Sequence, residues 1–165
     1  RSLVQRRERQ TTRLHINNLI RECLDLVHRE IEAQHVRLEL ALDPKLPVLE
    51  GDRVQLQQVI LNLLNNALQA MTEVSLGEPQ ITIVTSHDAE TRSIRTSIEN
   101  TGPVVSSDEI VHLFEPFFTT RSDGLGLGLS IIKSIIDSHE GSIEVDAIDS
   151  GMRFSFTLPV SAEPS

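Results

Sequence analysis

The sequence predicts an α/β (α+β) two-layer sandwich, in which helices cover one face of a mixed β-sheet. Three observations predict it. Apolar residues recur at helical spacing in three long segments, each with a polar side. Between and after them, short runs alternate apolar and polar residues with the period of a strand. The elements follow the order helix, strand, helix, two strands, two helices and hairpin, with no internal repeat and no low-complexity tract.

Each element has its own signal. Ile20, Leu24, Val27 and Ile31 set an amphipathic helix over about residues 16–34, with Cys23 a small core residue rather than a nucleophile. Val36, Leu38, Leu40 and Leu42 form a strand, which Asp43-Pro44 and Pro47 end. A helix from about Gly51 to Met71 follows, with Asp52 as candidate N-cap. Two strands, near residues 80–86 and 93–100, are joined by a polar turn. A Pro/Gly stretch leads to a short helix near 107–114, with Asp108 and Glu109 in its first turn. A Thr-, Ser- and Gly-rich loop covers 115–126. The next helix runs to about His139, which reads as a dipole-compatible cap, and Gly141 stands where a helix C-terminus places a glycine. Strands at 142–147 and 152–158 close a hairpin around Asp149-Ser150-Gly151.

The 165 residues suit one domain, and with five Phe and no Trp or Tyr its core must be Leu, Ile and Val. The net charge of −9 argues against a nucleic-acid partner. That charge is uneven: Arg1 to Ile16 hold five Arg against one Glu, a surplus of four, so the rest carries −13. Residues 1–15 read as a linker or the end of an upstream helical hairpin, 16–160 as the domain, and 161–165 as a disordered tail. One cysteine excludes a disulfide within the chain and fits a reducing compartment. No apolar run reaches the ~20 residues of a membrane span. The expected location is therefore the cytoplasm, as a soluble protein or as the cytoplasmic part of an anchored sensor.

The helix from Asp52 to Met71 is the most informative element. Gln58, Asn62, Asn65, Asn66 and Gln69 fall within an arc of about 100°, opposite Leu56, Val59, Ile60, Leu63, Leu64, Ala67, Ala70 and Met71. Asn costs a helix roughly 0.7 kcal/mol against Ala. Such a row is either an idle polar face or a set of neutral oxygen ligands, able to take one site on a Mg²⁺ whose other ligands are phosphate and water. Along the strand at 93–100, Ile94, Thr96, Ile98 and Asn100 share a face, so Asn100 points inward and Glu99 outward. Asn100 either organises the turn after it or reads a ligand. Gly124, Gly126 and Gly128 precede an apolar helix, as a hinge or as a phosphate cradle at its N-terminus. Arg121 is either solvated or a phosphate partner.

Together these segments resemble one family. Gln58-Val-Ile-Leu-Asn62-Leu-Leu-Asn65-Asn66-Ala67 resembles the asparagine box of sensor histidine kinases, and Asn100-Thr-Gly102-Pro103 their first glycine box. Phe114-Glu-Pro-Phe-Phe118 resembles the phenylalanine box, Gly124-Leu-Gly126-Leu-Gly128-Leu129 the second glycine box, and Gly151-Met-Arg-Phe154 the last hairpin. The phrase ending at Met71 is closest to the nitrogen-regulatory and oxygen-sensing branch. The resemblance implies the Bergerat ATP-binding fold, with ATP and Mg²⁺ as cofactors. It implies that Asn66 is the metal ligand, that Asn62, Asn66 and Arg121 are catalytic, and that Asn100 meets the adenine amine. It also implies nucleotide contacts from Gly102, Thr119, Thr120, Gly124, Leu125, Gly126, Leu127, Gly128 and Leu129.

The implied function is transfer of the γ-phosphoryl group of ATP to a histidine on a dimerisation and phosphoacceptor hairpin, feeding a response regulator. None of the six His stands before an acid and a Pro, so self-phosphorylation is not expected of this segment. Related ATPases on the fold have a Glu where Asn62 stands, and an amide cannot serve as the base for water. Two alternatives remain, a nucleotide-binding interaction module without transfer activity and a Bergerat-fold ATPase. Three positions depart from the family: Asn100 for Asp, Val104 and Glu140 where Gly is common. An amide at 100 that flips is expected to loosen base selectivity and weaken binding by about 1 kcal/mol.

Overall fold

The computed structural model describes residues 10–72, 77–115 and 128–160. In chain order it contains β1 (Thr11–Leu14), α1 (Ile16–Leu26), α2 (His28–Ala33), β2 (Arg37–Ala41), β3 (Leu49–Asp52), α3 (Arg53–Thr72), β4 (Gln80–Asp88) and β5 (Ser93–Thr101). It continues with α4 (Ser107–Ile110), α5 (Gly128–Ser138), β6 (Ser142–Ile148) and β7 (Gly151–Pro159).

The main sheet has the order β2-β4-β5-β7-β6, parallel between β2 and β4 and antiparallel elsewhere. It is the mixed sheet that the sequence predicts. Period-2 alternation gives it one apolar and one polar face. Ile81, Ile83, Ile94, Ile98, Met152, Phe154, Phe156 and Leu158 are buried on the inner face. On the outer face Arg95 pairs with Glu144, Arg153 with Glu99 and Asp146, and Ser97 with Ser155. Helices α1 and α5 both pack on α3, which also rests on the central strand β5.

One residue on the inner face is mismatched. Thr96 is 1% exposed, and its Oγ1 is enclosed without a hydrogen-bond partner. Thr96→Val keeps the shape and removes that hydroxyl, so it is expected to stabilise the fold by about 1 kcal/mol, read as a higher urea midpoint at unchanged slope. A lower midpoint would mean that the hydroxyl is satisfied in solution.

Several sequence expectations are corrected. The first amphipathic segment is two helices. Val27 leaves the helical region (φ −108°, ψ 14°), and the chain resumes as α2. The apolar row survives because Ile16, Leu19, Ile20, Cys23, Leu24, Val27 and Ile31 are all buried. The short helix expected to reach residue 114 ends at Ile110 and is followed by turns. A second, two-stranded sheet, β1 with β3, was not anticipated. Its antiparallel register pairs Thr11 with Asp52 and Leu14 with Leu49, and both leucines are buried. Residues 11–14 are therefore built into the fold, although they were expected to lead into it.

The end of α5 is another correction. Gly141 N–H donates to Ile136 O (2.9 Å) and Glu140 N–H to Asp137 O (3.0 Å), a Schellman closure. The left-handed residue in it is Glu140, at φ 62°, not the glycine. Gly141 is needed for another reason: a Cβ there would lie 2.1 Å from Thr157 O on β7. Glu140→Gly is expected to relieve backbone strain and stabilise by roughly 0.5–1 kcal/mol, net of the flexibility that glycine adds to the unfolded chain. A thermal melt checks this, and no gain would show that the carboxylate side chain compensates.

Candidate functional site

The site is organised by α3. Its buried side consists of Leu56, Val59, Ile60, Leu63, Leu64, Ala67, Leu68 and Met71, so the opposite row of amides must face outward. Asn62 and Asn66 are half-buried, while Gln58, Asn65 and Gln69 are exposed. No hydrogen bond to a described residue holds the side chains of Asn62, Asn65 or Asn66. Three helix-disfavouring residues on one face thus gain nothing from internal bonding.

The start of α3 is firmly built. Asp52, fully buried, accepts from Val54 N–H (3.0 Å) and Gln55 N–H (3.1 Å) through Oδ1, as expected of the N-cap, and from Gln10 N–H through Oδ2 (3.0 Å). Its own N–H donates to His139 Nε2 (3.0 Å). That nitrogen must therefore accept, which places the ring proton on Nδ1, 2.9 Å from Ile135 O. His139 is more than the helix-end cap that its position suggested. It joins the last turn of α5 to the N-cap of α3, and Gly51 makes room for it, since a Cβ there would fall 3.1 Å from its ring.

At its other end, α3 meets the turn after β5. Ala70 O lies 3.5 Å from where a Cβ on Gly102 would stand, and Gly102 has φ +135°. Asn100 points inward as expected and is 3% exposed. Its Nδ2 donates to Thr101 O at 2.8 Å. Thr101, which sequence reasoning passed over, accepts from Gln80 N–H (3.0 Å) and donates to Met71 Sδ (3.5 Å). Val105 N–H in turn donates to Met152 Sδ (3.4 Å). The turn is thus held by both methionines of the chain. Val104 is 53% exposed and is not among the described residues with positive φ, so this loop conformation does not require a glycine there.

The structure therefore sets Asn100 and Gly102 at the C-terminal end of the asparagine-bearing helix, and packs α5, which Gly128 and Leu129 open, on that same helix. Thr119, Thr120, Arg121, Gly124, Leu125, Gly126 and Leu127 lie outside the described residues. Cys23 is buried as expected, and burial pushes its thiol up to about 12, so it is no nucleophile at neutral pH. A hollow of about 500 Å³ lined by Ser86, Ser93 and Thr157 lies at the opposite end of β5 from Asn100. Among the described residues no cluster of three or more His, Cys, Asp or Glu could hold a metal. Nor is any helix among them long and apolar enough to cross a membrane.

The model of the histidine kinase-, DNA gyrase B- and HSP90-like ATPase family matches residues 51–162, more than half of the chain. The chain belongs to this family. The match takes in α3, the Asn100 turn and the closing hairpin. The sensor protein FixL of Bradyrhizobium diazoefficiens is 39% identical over 149 residues, which are 90% of this chain and 29% of FixL. The chain spans less than half the length of the curated relatives it matches first, which are sensor proteins and sensor histidine kinases. The nucleotide-free catalytic domain of the histidine kinase ThkA superposes with a TM-score of 0.82 at 32% identity, covering 92% of this chain and 96% of that domain. ThkA in complex with the response regulator TrrA superposes with a TM-score of 0.81 at 31% identity, over 95% of this chain and 44% of that one. The Bergerat-like α/β fold of histidine kinase catalytic domains is therefore the fold of this chain.

Proposed function

We propose that this chain binds Mg-ATP and transfers the γ-phosphoryl group to a histidine on a separate dimerisation and phosphoacceptor hairpin, and so supplies a response regulator. The observation that carries this reading is the pair of half-buried, unbonded amides, Asn62 and Asn66, on the helix whose far end packs against the Asn100–Gly102 turn. A neutral amide oxygen suits Mg²⁺ when phosphates supply the negative charge. Magnesium, when bound, neutralises charge on the triphosphate.

The rest falls to the chain. Asn66 offers the metal an oxygen. Asn62, one turn earlier, would support the metal and the phosphates. Asn100 takes the adenine amine, beside Gly102. Gly128 and Leu129, with Thr119, Thr120, Arg121, Gly124, Leu125, Gly126 and Leu127 of the preceding segment, frame the phosphates, Arg121 as a charged partner. Catalysis of this kind is mostly positioning and charge neutralisation, and the chain needs no base of its own. The response-regulator partner is suggested by the complex of ThkA with TrrA. A cytoplasmic setting follows, because response regulators act there.

The test is incubation of the chain with γ-labelled ATP and a separately produced phosphoacceptor hairpin. Label on the hairpin's histidine is expected. Tight ATP binding without transfer would instead favour an interaction module. Steady phosphate release that stops in Asn62→Ala would favour an ATPase.

A further inference from the structure

We propose that His139 is a positioning residue for the phosphate site: it ties the end of α5 to the start of α3, and so fixes where the helix start at Gly128 stands relative to Asn62 and Asn66. This rests on the reading of the chain as an ATP-binding domain.

The two helices are anchored in different parts of the fold. The start of α3 belongs to the small sheet, through Asp52 at the end of β3 and its register partner Thr11 on β1. The end of α5 belongs to the main sheet, because the chain leaves it at Gly141, close against Thr157 O of β7. The ring of His139 bridges these anchors. Its Nε2 accepts from Asp52 N–H at 3.0 Å, and its Nδ1–H donates to Ile135 O at 2.9 Å. Gly51 closes on the ring from the side of β3, where a single added carbon would stand 3.1 Å from it. Asp52 in turn caps α3 through Oδ1. The cap of one helix is therefore held by the last turn of the other.

His139 takes no part in the chemistry itself. It is 6% exposed and both ring nitrogens are engaged, so it neither receives a phosphoryl group nor meets a nucleotide. Its effect is leverage. At about 1.5 Å per residue, Asn62 and Asn66 lie about 15 and 21 Å along α3 from Asp52, and Gly128 about 17 Å along α5 from His139. A turn of about 3° between the helices at this bond shifts those groups by about 1 Å, and misplacement on that scale costs up to about a hundredfold in rate. Without the ring acceptor, the N–H of the fully buried Asp52 loses its partner, and the helix ends must part to admit water. The Asn100–Gly102 turn is held by other bonds, Asn100 Nδ2 to Thr101 O and Gly102 N–H to Ser150 O, so binding of the base alone does not depend on His139.

The test compares the native chain with His139→Leu, which withdraws the acceptor, and with His139→Gln, whose Oε1 stands as many bonds from Cα as Nε2 does. Affinity for Mg-ATP is read by calorimetry and affinity for adenosine by chemical-shift titration, both well below the melt. In His139→Leu the Kd of Mg-ATP is expected to rise about tenfold or more, and that of adenosine by less than about twofold. His139→Gln should recover most of the Mg-ATP affinity. Should His139→Leu fail to fold, His139→Asn takes its place, since it keeps a donor for Ile135 O and drops the acceptor. A merely structural role lowers the melting temperature and leaves the ratio of Mg-ATP to adenosine affinity at its native value, and that result would overturn the inference. Equal weakening of both ligands, or a Gln variant no better than the Leu variant, would overturn it as well. Failure of Mg-ATP to bind the native chain would overturn the ATP reading and this inference with it.

Discussion

Asn66→Ala is expected to abolish the magnesium-dependent part of ATP binding and leave the fold intact. The side chain is half-buried on the outer row of α3 and bonds to no described residue, so its removal breaks nothing within the protein. Alanine is the better helix former by roughly 0.7 kcal/mol, so the nucleotide-free melting temperature should hold or rise slightly. Binding should behave in the opposite way. Loss of one oxygen directed at a charged group is worth about tenfold or more in Kd. Two measurements check this together. Mg-ATP should raise the melting temperature of the native chain and not that of the variant. Calorimetry should show that magnesium improves nucleotide affinity only in the native chain. A variant that keeps its magnesium response would remove Asn66 from the site.

Gly151→Ala is expected to have the largest effect on stability. The new Cβ would fall 2.0 Å from Asn100 O and 3.0 Å from Asn100 C and Thr101 Cα, all backbone atoms of β5. No side chain can turn aside to make room, so β7 must part from β5 at the end that carries the nucleotide turn. A cost of about 3 kcal/mol is expected, at the upper end for overpacking. For a chain of this size that is roughly a 6–12 °C drop in melting temperature. ATP affinity measured well below the melt should fall too, because the displaced atoms belong to Asn100 and Thr101. A melt within a degree of the native value would show that the hairpin has more slack than the geometry allows.

The inner and outer faces of the sheet were legible in the residues, because a strand must alternate wherever one side is wet and the other dry. The amide row was legible for a similar reason. Its apolar complement on α3 leaves only one direction for Asn62 and Asn66, and the cost of Asn in a helix marks the row as unusual. Asp52 was legible as a cap because capping is local, with its Oδ1 bonds reaching only two and three residues ahead. The strands β1 and β3 were not. Each has four residues, too few for a period to show, and each is a strand only because the other is there. Val27 hid the break between α1 and α2 by remaining buried on the same apolar row.

By itself, then, the sequence determined the two-layer sandwich, its burial pattern and the asparagine-bearing helix. These follow from periodicities along a single element, and hydrophobic burial enforces them wherever the element lies. The tertiary structure alone decided how the site is held. The bond from Asp52 to His139 spans 87 positions, and the peptide that accepts from Asn100 is fixed by Ser150 in the turn between β6 and β7. A backbone group shows no sequence preference for its partner, so only the assembled sheet reveals which carbonyl each N–H meets.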